Sequence, residues 1–95
     1  MASLRFIPRA VRDLERLAEF LRASDPAAAD QTAALIFESI EILRDHPLIG
    51  RPVSINRREL VVFRGRTGYL ARYGFSLARD EVVILSIRHQ REVEA

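Results

Sequence analysis

The 95-residue chain has no cysteine, which excludes a disulfide scaffold, a thiolate zinc site and a cysteine nucleophile. It fits a reducing compartment. Lysine is absent as well, so all 15 basic residues are arginine. That absence fits GC-rich coding as well as a need for planar, bidentate guanidinium groups that bind carboxylate or phosphate. No apolar run approaches the ~20 residues of a membrane-spanning helix. Arg5 and Arg9 interrupt the only apolar stretch near the N-terminus, so no signal peptide is read there. A cytoplasmic location without membrane attachment is expected. Only His46 and His89 are available as imidazole ligands. They lie far apart and without ligand spacing, so no metal and no cofactor is expected. Neither standard Gly-rich phosphate loop occurs. Ser54, Ser76 and Ser86 have no sequence context that would make either histidine their partner.

What is present is an uneven charge distribution. The formal net charge is +2, but residues 1–50 carry six Arg against eight acids, and residues 51–95 carry nine Arg against five. A basic second half suits an acidic partner or a nucleic acid. The length points to one domain, residues 1–95, with a modest core and marginal stability of its own.

The hydrophobic period changes along the chain. Ser3 to Ile7 alternates as a short strand. Pro8 suits the first turn of a helix, and Val11, Leu14, Leu17, Ala18 and Leu21 then recur at helical steps. Asp25-Pro26 reads as a cap and first position of a second helix. Its core stripe is Ala29, Ala33, Ile36, Phe37, Ile40 and Leu43 or Arg44, with Ala28, Leu35 and Ile42 beside it. This face is broad, suited to packing against the first helix or to forming a groove for a partner helix. His46 to Pro52 is a loop punctuated by prolines and glycine. Strands follow over Glu59–Arg64, Tyr69–Ser76 and Val82–His89, separated by turns at 65–68 and 78–81. Short turns make antiparallel hairpins. The expected class is α+β in the order β-α-α-β-β-β, a helical hairpin packed on one face of a small antiparallel sheet.

Strict alternation would place Leu60, Val62 and Arg64 on the open face, with Leu70, Arg72 and Gly74, and Val82, Ile84, Ser86 and Arg88. Tyr69, Tyr73, Phe75, Val83, Leu85 and Ile87 would face the helices. Arg64, Arg72 and Arg88 are thus expected to share the open face. Spacing alone leaves both an ordinary solvated face and an anion- or partner-binding surface open.

Several segments, in order, resemble a known family. Phe6-x-Pro8-Arg9-Ala10-x-Arg12-Asp13-Leu14 looks like its opening, and Pro26-Ala27-Ala28-Ala29 like its entry into the second helix. Asp45-His46-Pro47-Leu48-Ile49-Gly50-Arg51-Pro52-Val53 is similar to its loop and is the most specific piece. Arg58-Glu59-Leu60-Val61-Val62, Gly68-Tyr69-Leu70-Ala71-Arg72-Tyr73 and the stretch from Val82 to Glu92 resemble its hairpin strands and tail. Together they resemble the RelE/ParE toxins of type II toxin–antitoxin systems. The resemblance implies a small bacterial toxin silenced by a cognate antitoxin, ParD-like or similar, in a hetero-oligomer that meets operator DNA only through the antitoxin. RelE-like members are ribosome-dependent mRNA endonucleases, and ParE-like members inhibit DNA gyrase.

The residues lean to the ParE-like branch. Metal-free RNA cleavage needs a base, an acid and cations around the phosphorane. Here Leu60-Val61-Val62-Phe63 is apolar where basic residues would be expected, Leu70 stands where the nuclease pattern has Arg, and no Tyr follows Tyr73. The expected activity is therefore non-catalytic gyrase inhibition, with Arg64, Arg72, Arg88, His89 and Arg91 as target-binding candidates. Leu35 and Ile42 are the antitoxin-binding candidates. The alternative is an endonuclease with a reduced site built from Arg72, Arg88, His89 and Arg91.

Overall fold

Proline and aspartate set the helix starts. In the computed structural model, which describes residues 1–64 (Arg64 by its backbone) and 66–92, β1 (Ser3–Phe6) leads into α1 (Pro8–Ser24) with Pro8 in the first turn. Asp25 ends α1, its N–H donating to the Leu21 carbonyl at 2.7 Å, and starts α2 (Pro26–Glu41) by accepting from the Ala28 N–H at 3.1 Å. One residue thus closes one helix and caps the next. A 3-10 turn (Ile42–Arg44) carries the chain into the loop. Then come β2 (Arg51–Ser54), β3 (Arg57–Arg64), β4 (Thr67–Ser76) and β5 (Glu81–His89).

The sheet has five strands in the order β1-β5-β4-β3-β2. β2, β3, β4 and β5 pair antiparallel, but β1 runs parallel to β5. The sheet is therefore mixed and one strand larger than expected. A parallel pair needs a long connection, which the helices and the other strands provide. β2 escaped the sequence reading because all four residues are exposed and Pro52 interrupts it. Pro is tolerated on such an edge strand, where its missing N–H leaves no ladder bond unmade. Asn56, at φ 57°, makes the tight turn from β2 to β3. Of the expected turn at 65–68, Gly65 lies outside the described residues.

The helices cover one face. Leu17, Ile36, Ile40 and Leu43 meet Val62, Tyr69, Ala71, Tyr73, Val82, Ile84 and Ile87 in a continuous core. The α2 stripe is rotated slightly from expectation: Thr32 is buried and Phe37 is half exposed, its ring 5.7 Å from that of Phe6. The strand faces need a larger correction. Leu60 and Val62 pack toward the core, and so do Val82 and Ile84, whereas Val83 and Leu85 line the opposite face beside Gly74. On β3 the register pairs Leu60 with Ala71 and Val62 with Tyr69, which puts both on the helix side; on β5 the cause is a β-bulge. Tyr73 pairs with Ile84 but Arg72 pairs with Ser86, which leaves Leu85 without a partner on β4. One inserted residue reverses the alternation beyond it, so Ser86, Ile87 and Arg88 sit on the expected faces although Val82 to Leu85 do not.

The loop of residues 46–50 is locked to the sheet. Tyr73 is fully buried, and its hydroxyl accepts the Gly50 N–H at 2.9 Å. A Cβ on Gly50 would stand 2.6 Å from that oxygen and 3.0 Å from the Glu59 carbonyl. Arg58 Nη1 donates to the Leu48 carbonyl at 3.0 Å and to the Gly50 carbonyl at 2.8 Å.

Candidate functional site

β3, β4 and β5 present one face away from the helices. Cross-strand pairing puts Glu59 beside Arg72, and Arg72 beside Ser86, with Arg88 one step further along β5 opposite Leu70. Arg72 and Arg88 therefore share the open face. Arg72 is not a bare cation: its Nη2 lies 3.5 Å from Glu59 Oε2, while Arg51 Nη2 holds Glu59 Oε1 at 2.6 Å. Glu59 is 4% exposed, a buried carboxylate between two guanidiniums. Arg88 Nη1 donates to the Glu92 carbonyl at 3.0 Å. Apolar groups complete the face: Leu70 is buried, and Phe63 projects at the hairpin end. The side chain of Arg64 lies outside the described residues, and its backbone pairs with Thr67.

His89 faces the other way. It is opposite Tyr69, the two rings meeting edge-on with centroids 5.6 Å apart. Its Nδ1 accepts the Arg91 N–H at 3.0 Å, which assigns the remaining ring nitrogen as the N–H in the neutral tautomer. His89, Arg91, Tyr69 and Thr67 line a groove of about 640 Å3 against Leu17, Phe20 and Leu21 of α1. Arg16 closes it by binding Glu92 Oε1 at 2.7 Å, a hydrogen bond that raises the Arg16 pKa further and keeps the guanidinium charged. The four residues of the endonuclease alternative are thus divided, Arg72 and Arg88 on one face and His89 and Arg91 on the other. Of the antitoxin candidates, Ile42 is 48% exposed, whereas Leu35 is half-buried against the core.

The sequence reading missed Glu59, Arg51 and Asp13. Glu59 had a signal, a lone acid in an otherwise basic and apolar strand. Asp13 had none beyond its place in the opening motif. Among the described residues no group of three His, Cys, Asp or Glu is placed to hold a metal ion. No helix among them is long and apolar enough to cross a membrane.

The family model for the ParE toxin of the type II toxin–antitoxin system parDE matches residues 4–94. The chain belongs to this family. Among relatives of this RelE/ParE-family toxin, Toxin RelE3 of Caulobacter vibrioides is 42% identical over 92 residues, 97% of this chain and 98% of the relative. The chromosomal ParDE system of P. aeruginosa contains a chain with the same fold, at TM-score 0.78 and 24% identity over 94% of this chain and 96% of that one. The RelBE2 toxin–antitoxin complex of Mycobacterium tuberculosis contains another, at TM-score 0.61 and 28% identity over 94% and 98%. Both the ParE and the RelE names therefore occur among the toxin's neighbours.

Proposed function

We propose that this toxin inhibits DNA gyrase by binding, without a catalytic step of its own, and that a cognate ParD-like antitoxin neutralises it in the cytoplasm. The observation that carries the reading is the separation of Arg88 from His89. A metal-free ribonuclease needs its base and its phosphate-stabilising cations around one phosphodiester. Here His89, the imidazole next to Arg88 in sequence, lines the α1 groove, and Arg72 is partly neutralised by Glu59. What the open face offers is a mixed apolar and cationic surface, Phe63 and Leu70 with Arg72 and Arg88. Such a surface suits protein recognition, in which aromatic and arginine side chains carry much of the energy. The antitoxin is assigned to the helical hairpin, with Ile42 as its exposed contact. Operator DNA is then reached through the antitoxin alone.

The name of Toxin RelE3 favours the second reading, a ribosome-dependent mRNA endonuclease. One experiment separates the two. The chain is induced alone in bacteria carrying a DNA-damage reporter, with mRNA integrity and growth followed in parallel. Purified gyrase is assayed with the purified toxin. Growth arrest with a damage signal, intact mRNA and blocked supercoiling is the expected result. Cut mRNA with unaffected gyrase would replace this reading with the endonuclease.

A further inference from the structure

β5 outruns its outer neighbour. β1 pairs with Glu81 to Ile84 only, and the last bond across is from the Ile7 N–H to the Ile84 carbonyl at 3.2 Å. Past that point, among the described residues, the outer edge of β5 has no strand beside it. Ile87 lies there, fully buried. Buried backbone groups need partners, and two side chains of α1 supply them. Asp13 Oδ2 accepts the Ile87 N–H at 2.9 Å, and Arg16 Nη2 donates to the Ile87 carbonyl at 3.4 Å. Asp13 and Arg16 also lie 3.6 Å apart as an ion pair. Ile87 directly follows Ser86, the partner of Arg72, and stands two residues past Leu85, the inserted residue where the alternation reverses.

We propose that Asp13 is a positioning residue for the target-binding face: through Ile87 it clamps the β5 bulge in the register that turns Arg88 to the open face and His89 to the α1 groove. The proposal rests on the reading of the open face as the surface that meets the target. Its geometry can be tested without that reading. If β5 ran without the bulge, strict alternation from Val82 and Ile84 would carry Ser86 and Arg88 into the core side and turn Ile87 and His89 outward. Burial of Ile87 favours the bulged register. That burial also strands the Ile87 amide at an open strand edge, and only a fixed acceptor on α1 relieves it. A carboxylate is a stronger acceptor for an amide than a neutral group, and Asp13 is held in place by Arg16, which Glu92 in turn holds.

The test compares the full chain with Asp13→Ala, Asp13→Asn and Arg88→Ala. Backbone amide exchange at Ile87 and the ring-to-ring NOE between His89 and Tyr69 report the register. Growth arrest on induction reports the target face. Amide protection across β3 and β4 reports that the fold is intact. In Asp13→Ala, Ile87 exchange is expected to rise roughly tenfold, the NOE to weaken, and arrest to fall toward that of Arg88→Ala. Asp13→Asn keeps an acceptor. It is expected to raise Ile87 exchange a few-fold while preserving the NOE and most of the arrest, and it decides the matter should the alanine variant fail to fold. Ile87 exchange equal to the parent's in the folded variants would overturn the clamp, whatever the growth result. Arrest by Arg88→Ala equal to the parent's would instead remove the open-face reading, leaving the exchange and NOE data to judge the clamp.

Discussion

Replacing Tyr73 by phenylalanine removes one oxygen from the middle of the molecule. That oxygen is the acceptor for the Gly50 N–H, at 2.9 Å and out of water. Its loss leaves a buried donor without a partner, which costs about 1–3 kcal/mol. For a chain of this size each kcal/mol moves the melting temperature by about 4–8 °C, so the fall is well outside measurement error. Gly50→Ala attacks the same contact from the other side. Its Cβ would lie 2.6 Å from Tyr73 Oη, 2.7 Å from Tyr73 Cε1 and 3.0 Å from the Glu59 carbonyl. Tyr73 is fully buried and cannot swing away, so overpacking adds a cost of about 1–3 kcal/mol. The pair should be non-additive, because Tyr73→Phe removes the closest of the three collisions. Burial, the largest influence, raises the Tyr73 pKa above its ordinary value of 10.0, although the Gly50 bond and Arg58 pull it down. The folded state therefore holds the phenol proton more tightly than the unfolded state. That contribution is complete below about pH 10 and is lost as the pH climbs toward the folded-state value. Thermal or urea unfolding between pH 7 and 11 should show an alkaline loss in the parent that is smaller in Tyr73→Phe. A Tyr73→Phe protein as stable as the parent at pH 7 would refute the lock.

Three further perturbations probe other parts of the molecule. Glu59→Ala strips the anion from between Arg51 and Arg72; breaking a buried pair costs about 3–5 kcal/mol, with the lower end expected because Arg51 is largely exposed. Urea unfolding measures this, and a change under about 0.5 kcal/mol, the usual size for a surface substitution, would mean that water already solvates both guanidiniums. Thr32 buries a hydroxyl oxygen that has no hydrogen-bond partner among the described residues, between the two helices. Thr32→Val should stabilise the chain by about 1 kcal/mol, seen as a raised melting temperature; a lowered one would show that the hydroxyl is satisfied in solution. Ile42→Asp lies on an exposed position, so the fold should survive while antitoxin affinity falls by about tenfold or more. Unchanged affinity by titration calorimetry would move the antitoxin contact off this end of the hairpin.

The parts of the fold that were legible from sequence are those fixed by local chemistry. Pro8, Asp25 and Pro26 mark helix starts by their own backbone and hydrogen-bonding properties, and each lies where expected. The 3.6-residue repeat found the helices because burial acts on one face of each. β2 was not legible, since an exposed edge strand of four residues has no alternation to read. The strand faces were legible only in part. Period-2 reasoning assumes an unbroken ladder, and nothing in Val82-Val83-Ile84-Leu85-Ser86-Ile87 marks Leu85 as the inserted residue, because both candidate faces read as apolar. The Glu59 ion pairs depend on register between three strands, which spacing within one strand cannot supply.

That inserted residue bears directly on the choice between the two activities. In sequence, Arg88 and His89 are neighbours, and Arg91 follows two positions after His89; the tail alone suggests a cluster able to hold a phosphodiester and deprotonate the adjacent ribose 2′-hydroxyl. In the folded chain, adjacent residues of a strand point to opposite faces, so Arg88 and His89 cannot act on one phosphate from the same side. The bulge then decides which of them meets the open face, and it selects the permanent cation over the imidazole. With Arg88 on that face the surface carries fixed charge and apolar contact, its carboxylate Glu59 is held between Arg51 and Arg72, and among the described residues no imidazole joins them. Were the bulge absent, the register set by Tyr73 and Ile84 would continue, and His89 would stand on that face opposite Gly68 with an imidazole base available. An Asp13 variant that slips β5 by one residue would therefore be expected to lose the binding surface and bring the imidazole outward. Target inhibition and mRNA integrity measured on the same variant would report the two consequences independently.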